Sequence, residues 1–264
     1  MQLICVPKNL EIKMIKPRII LASSSPRRIE ILKEYKINFI SKEHKIINEP
    51  EYSGDNEPCE FVKNLALNKA KSIESFYPDD FIIGSDTAVI LKVILNNSNR
   101  YKNFLTNFNS DIDDILYDKT KNTNSRINKS INKSIKNINS CNQNEDICHS
   151  SFISLGKPKD IVSAFNMLNM LSDNIHNVYT GIALINKNKQ IHEFSYDKTE
   201  VKIKNLSDEE IYNYINKFKP FDKAGSYGIQ DSQDIVESYS GSYKNVEGLC
   251  IEKLIPLLKK YNLI

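Results

Sequence analysis

The sequence has little of what marks several common functional classes. Its charges nearly cancel, with 36 basic against 33 acidic side chains and a net +3, so no strong basic field directs it to nucleic acid. No apolar run is long enough to span a bilayer. The first 17 residues interrupt short apolar pieces with Lys8, Glu11, Lys13 and Lys16 and show no signal-peptide core. Five cysteines (Cys5, Cys59, Cys141, Cys148 and Cys250) form no C-x-x-C pair. An odd number without a framework suggests reduced thiols in a cytoplasmic protein. With four scattered histidines, a zinc site is not expected. The expectation is a cytoplasmic protein with neither a membrane nor a nucleic acid as partner.

What is present divides into a body and a tract of different composition. Over residues 96–154 asparagine makes up about a quarter of the chain, among Ser, Lys and Ile in near-repeats such as Arg126-Ile127-Asn128-Lys129-Ser130-Ile131-Asn132-Lys133-Ser134. Eight basic and six acidic residues fall there, 8 − 6 = +2 of the overall +3. Such a tract cannot bury enough apolar surface to offset chain ordering, so it is expected to be a disordered insertion. The remaining body, about 205 residues, suits one domain. Residues 1–17 read as an N-terminal extension and 18–264 as the domain that the tract interrupts.

The stretch the body is organised around is Ile19-Ile20-Leu21-Ala22-Ser23-Ser24-Ser25-Pro26-Arg27-Arg28. Four apolar residues read as a buried strand that breaks into three serines and then a helix with Ile29, Leu32 and Tyr35 at helical spacing. Ser25 suits the N-cap and Pro26 the first helical position, where a missing N–H costs nothing. Free N–H groups and the helix dipole favour an anion there. Arg27 and Arg28 oppose that dipole unless a phosphate-like group lies between them. The alternative is a capped helix with two solvated arginines.

Further along, residues 38–40 begin a short strand, 41–57 read as a polar loop, and Pro58 starts a helix reaching about residue 75. Val62, Ala66, Lys69 and Ile73 share one face of it, so Lys69 either snorkels out or meets an anion in a cleft. Residues 81–91 read as a central strand apolar on both faces, interrupted by Asp86. A buried carboxylate needs a salt bridge and hydrogen bonds, or a metal or water to act on. After the tract come a helix carrying Ile161, Ala164, Phe165, Leu168 and Leu171, and a hairpin of strands over 176–185 and 191–203. A helix opened by the capping box Ser207/Glu210 follows. Then come a glycine-punctuated loop over 221–230, a last hairpin over 233–246, and a helix over 249–258 that Pro256 should kink or cut short.

Five blocks together resemble the Maf (septum-formation-inhibitor-like) family of nucleoside triphosphate pyrophosphatases. They are Leu21-Ala22-Ser23-Ser24-Ser25-Pro26-Arg27-Arg28, Gly84-Ser85-Asp86-Thr87, Gly156-Lys157-Pro158, Asp222-Lys223-Ala224-Gly225-Ser226-Tyr227-Gly228-Ile229-Gln230, and Gly241-Ser242-Tyr243 with Asn245-Val246 and Gly248-Leu249. The resemblance covers residues 18–261 apart from the tract. It implies an α/β fold similar to inosine triphosphate pyrophosphatases: an elongated, mixed, twisted sheet with flanking helices and a cleft between two lobes. It implies hydrolysis of a nucleoside triphosphate to monophosphate and pyrophosphate with a divalent metal cation, Mg²⁺ or Mn²⁺, in a homodimer.

Matched residue by residue, the resemblance implies that Ser23, Ser25, Arg27 and Arg28 form a phosphate loop and that Lys69 and Lys157 are cleft lysines. It makes Asp86 the catalytic acid that holds metal and activates water, Glu49 a second metal-associated acid, and Gln230 a substrate contact. The loop ending in Gln230 is similar to the branch that prefers dTTP and UTP, and a glutamine amide can both donate to and accept from a uracil edge. Asp231, Glu247 and Cys250 depart from the family pattern, where glycine, an apolar residue and proline are usual. A different class, a nucleotide-binding regulator of cell division with incidental turnover, is separated from an enzyme by pyrophosphate release.

Overall fold

A computed structural model describes residues 17–50, 52, 54, 56–95 and 149–264. Residues 1–16 of the expected extension and 96–148 of the expected tract lie outside the described residues. The chain is α/β: a mixed seven-stranded sheet with helices on both faces. In chain order the elements are β1 (Ile19–Ala22), α1 (Pro26–Glu34), β2 (Ile40–Lys42), α2 (Pro58–Lys71), β3 (Phe81–Leu95) and β4 (His149–Leu155). They continue with α3 (Ile161–Leu171), β5 (Ile175–Asn186), β6 (Ile191–Ile203), α4 (Asp208–Phe218), β7 (Val236–Ser240), α5 (Tyr243–Glu247) and α6 (Ile251–Lys260).

The sheet runs β2-β1-β3-β5-β6-β7, and β4 also pairs with β3. β5 occupies one edge of β3 over residues 82–90. β1 lies parallel to residues 81–83 and β4 antiparallel to residues 89–95, so both must share the other edge. Between them, among the described residues, 84–88 have no strand beside them on that edge. The sheet splits there, and Asp86 sits at the middle of the split. A split between diverging strands is where open α/β sheets accept ligands.

Side-chain alternation on β3 sends Phe81, Ile83, Val89 and Leu91 to one face. The first two pack with Ile19, Leu21, Leu32, Leu254 and Leu258 under α1 and α6. Val89 and Leu91 pack with Leu155, Leu168 and Ile211 under α3 and α4. Two apolar clusters on one face, separated by the polar Ser85 and Thr87, are the physical content of two lobes. The opposite face belongs to α2, which packs Ala70 against Ile82 and Val62 against Ala88 and Ile90. The helix comes very close: a Cβ at Gly84 would overlap the Ala66 carbonyl, and one at Gly181 the Val62 carbonyl. Those two glycines let α2 bring Lys69 down onto the split.

The expected elements recur with several corrections. β2 begins at Ile40, two residues later than the pattern suggests, and α2 ends at Lys71 before a 3₁₀ turn over Glu74–Phe76. On α1, Leu32 is buried with Ile31, whereas Tyr35 is the exposed C-cap residue. Residues 149–154, assigned to the tract by composition, form most of β4, because Ile153 and Leu155 bury against β3 and α3. The expected hairpin over 233–246 does not form. β7 pairs with β6, Gly241 turns the chain at φ +126°, and Ser242 caps α5 by accepting from the Asn245 N–H at 3.1 Å. The last helix starts at Ile251 and continues past Pro256 to Lys260, so no turn splits off. Pro256 lies on its exposed side, while buried Ile251, Leu254 and Leu258 anchor the other.

Candidate active site

The nine site residues implied by the sequence, Ser23, Ser25, Arg27, Arg28, Glu49, Lys69, Asp86, Lys157 and Gln230, all line one cavity of about 650 Å³ at the split. That volume is ordinary for a small-molecule site, roughly 300–1,000 Å³. The turn from β1 into α1 and the first turn of α1 supply the first four. Ser25 holds the N-cap position with extended backbone, but its side chain does not cap; its N–H donates instead to Ser23 Oγ at 3.1 Å. The α1 N-terminus, uncapped by Ser25, lines the cavity and is a place that favours an anion.

Arg28 is fixed by three partners. It donates from Nε to the Gly248 carbonyl at 2.8 Å, and its other nitrogens reach Thr87 Oγ1 at 3.3 Å and Ser23 Oγ at 3.4 Å. Burial lowers its pKa, with the nearby Asp86 charge opposing; a guanidinium still remains charged. Arg27 reaches across the cavity mouth to Asp222, 3.5 Å from both its carboxylate and its carbonyl.

Lys69 comes from α2 and is only 5 % exposed. Its ammonium bonds Asp86 Oδ1 and Glu49 Oε1, the latter at 2.9 Å, so it meets anions in the cleft and does not snorkel. Asp86 is 7 % exposed. Partial burial would raise Glu49, but the hydrogen bond and charge of Lys69 outweigh it and hold this carboxylate below its usual range, with Lys157 adding to the effect. Lys157, just past β4, and Gln230 are exposed at the rim.

Two carboxylate oxygens converging on one cationic point form a hard-oxygen donor set. That set suits Mg²⁺ or Mn²⁺, which bind through one or two carboxylates and leave other positions to water and phosphate oxygens. Among the described residues no group of three or more His, Cys, Asp or Glu side chains could hold a metal by itself.

Sequence reasoning gave no role to three residues here. Thr87 alternates to the opposite face from Asp86, bonds Thr180 Oγ1 at 2.9 Å and steadies Arg28. Its place in the Gly84-Ser85-Asp86-Thr87 block was the available signal. His44 lies 3.7 Å from Glu49, its pKa lowered by burial and then by Lys69. Asp222 pairs with Arg27. Asp222 opens the block that ends in Gln230, which was its signal, whereas nothing in the chain order announces His44.

A split α/β sheet with a helix N-terminus, two arginines, two lysines and a carboxylate pair around one cavity defines a protein suited to a phosphate-rich ligand. The Maf-like protein family matches residues 18–109 and 109–261. The dTTP/UTP pyrophosphatase of Thermoanaerobacter sp. (strain X514) is 32% identical over 245 residues, covering 92% of this chain and 96% of that protein. The dTTP/UTP pyrophosphatase of Clostridioides difficile (strain 630) is 33% identical over 244 residues, 92% and 94% of the two chains. That of Bacillus cereus (strain AH187) is 32% identical over 249 residues, 93% and 96%. The chain belongs to the Maf-like family. Among the described residues no helix is long and apolar enough to cross a membrane.

Proposed function

We propose that this chain is an enzyme, a nucleoside triphosphate pyrophosphatase that hydrolyses dTTP and UTP to the monophosphate and pyrophosphate. The observation that carries the reading is the Lys69 ammonium clamped between Asp86 and Glu49, beside the Ser23–Arg28 phosphate loop in a single cavity. Relatives named for this activity support it.

Attack of water at the α-phosphorus piles charge on the equatorial and leaving oxygens, so catalysis is mostly positioning and charge stabilisation. Arg27, Arg28 and the α1 N-terminus grip the phosphates. Lys69 and Lys157 balance charge as it develops, and Asp86 accepts the proton of the attacking water. Asp86 and Glu49 would hold a divalent cation, which supplies charge neutralisation and a more acidic water. Gln230, at the rim, offers its amide to the edge of a pyrimidine. We place the enzyme in the cytoplasm as a homodimer; Cys59 and Cys250, both free thiols, support that compartment.

The test is pyrophosphate release from a panel of triphosphates with Mg²⁺. The expected result is a kcat/KM for dTTP and UTP at least tenfold above ATP and GTP, which takes about 1.4 kcal/mol of differential transition-state binding. Gln230→Ala should shrink that ratio, and chelation should abolish turnover until Mg²⁺ or Mn²⁺ returns. Equal turnover of purines and pyrimidines would overturn the substrate assignment. Binding without pyrophosphate release would favour a nucleotide-sensing regulator.

A further inference from the structure

The cavity has a second end that the phosphate chemistry does not use. Lys69, Leu65 and Phe61 all line it and stand at i, i−4 and i−8 on α2, one stripe along the helix. The stripe is charged at the Asp86 end and aromatic at the other. Eight residues of α-helix cover about 12 Å, a length suited to a nucleoside and its first phosphate laid along it. Tyr52 packs on Phe61 with ring centroids 5.2 Å apart and tilted by 57°, and Tyr52 is itself anchored, its hydroxyl donating to the Asn56 carbonyl at 2.7 Å. Phe152 and Tyr179 join the same cluster, with Ala88 and Ile90 beneath. Phe61 is therefore a held ring on the wall of a cavity whose far end carries the cations.

We propose that Phe61, backed by Tyr52, is the platform on which the pyrimidine ring of the nucleotide stacks. The inference rests on the nucleotide reading above and adds the site of the base. Stacking on an aromatic face holds any flat ring and excludes water from one side of it. It supplies affinity and orientation for the nucleoside, while selection among bases falls to hydrogen bonds at the ring edge. Bringing the base to Phe61 sets the α-phosphate toward Lys69 and Asp86 along the same stripe.

The chain contains no tryptophan, so Phe61→Trp creates a single fluorescent reporter at the platform. The probes are the non-hydrolysable α,β-imido analogue of dUTP and inorganic tripolyphosphate, with calorimetry to confirm binding of each. The dUTP analogue should quench the indole emission, and bound tripolyphosphate should leave it unchanged. Phe61→Ala should weaken the analogue about tenfold or more and leave tripolyphosphate affinity unaltered. Binding of the analogue without quenching would overturn the proposal, as would an equal loss for both probes, which marks Phe61 as structural only. If the unaltered protein binds neither probe, the nucleotide reading falls and this proposal with it.

Discussion

Replacing Asp86 by Asn separates the chemistry of the site from its folding. The carboxylate is buried against the Lys69 ammonium, which also bonds Glu49. Removing its charge forfeits an attraction of about 4 kcal/mol at 4 Å with an effective dielectric near 20. It also removes the desolvation penalty of a buried carboxylate, which relaxation reduces from an ideal Born cost of about 20 kcal/mol to several kcal/mol. The Asn amide oxygen can still accept from Lys69, and Glu49 still balances the ammonium. Terms of similar size oppose each other, so net stability should change by less than about 2 kcal/mol. At about 2–4 °C per kcal/mol for a chain of this size, Tm should move by under about 8 °C.

The rate behaves otherwise. The amide cannot accept a proton from water, and general-base catalysis contributes about 10²- to 10⁴-fold, or about 2.7–5.4 kcal/mol of barrier. Thermal melts, pyrophosphate release and calorimetry with the imido analogue read the three quantities separately. The expected pattern is a folded protein with kcat down at least about a hundredfold and analogue affinity within tenfold. Retention of more than a tenth of the original kcat would refute Asp86 as the proton acceptor.

Three further outcomes are expected. Leu95 and His149 are register partners at the end of the β3/β4 ladder, so a four-residue turn replacing residues 96–148 should preserve activity. Closing about 4 residues instead of about 53 lowers the chain-entropy cost by roughly 2 kcal/mol, which urea unfolding can read; an insoluble product would show that the tract packs on the body. His176 is fully buried, with Nε2 2.6 Å from the Tyr227 hydroxyl, and burial lowers its pKa to about 3. The unfolded state therefore binds the extra proton between about pH 6.5 and 3. Stability should be complete above pH 6.5 and fall as pH drops, by about 2 kcal/mol at pH 5, and His176→Phe should flatten that slope in pH-dependent denaturation. Gly84→Ala would drive a methyl into the Ala66 carbonyl and should lower stability by about 3 kcal/mol or more; an unchanged melting temperature would mean that α2 is free to lift from the sheet.

Most of the secondary structure was legible in the residues because it is local. The apolar quartet before Ser23, the Ser207/Glu210 capping box, and the alternation in β5 and β6 are short-range patterns that side-chain direction imposes on any chain. The errors came where local signals compete with distant partners. Composition placed 149–154 with the asparagine-rich tract, but pairing with β3 decided for a strand. A hairpin was expected over 233–246, yet β7 found its partner in β6 and the chain after Gly241 turned into a helix.

The site divides the same way. Sequence alone placed phosphate-binding groups at a strand-to-helix junction, an acid within an apolar strand and a lysine on an apolar helix face, because each is anomalous in its own surroundings. That Asp86 and Glu49 share the one ammonium of Lys69, that Asp222 meets Arg27 across the mouth, and that Phe61 ends the stripe Lys69 begins were decided only by tertiary structure. The ion pairs among them join residues 17 to 195 positions apart. Only the split between β1 and β4, and the two glycines that let α2 approach it, bring them within reach.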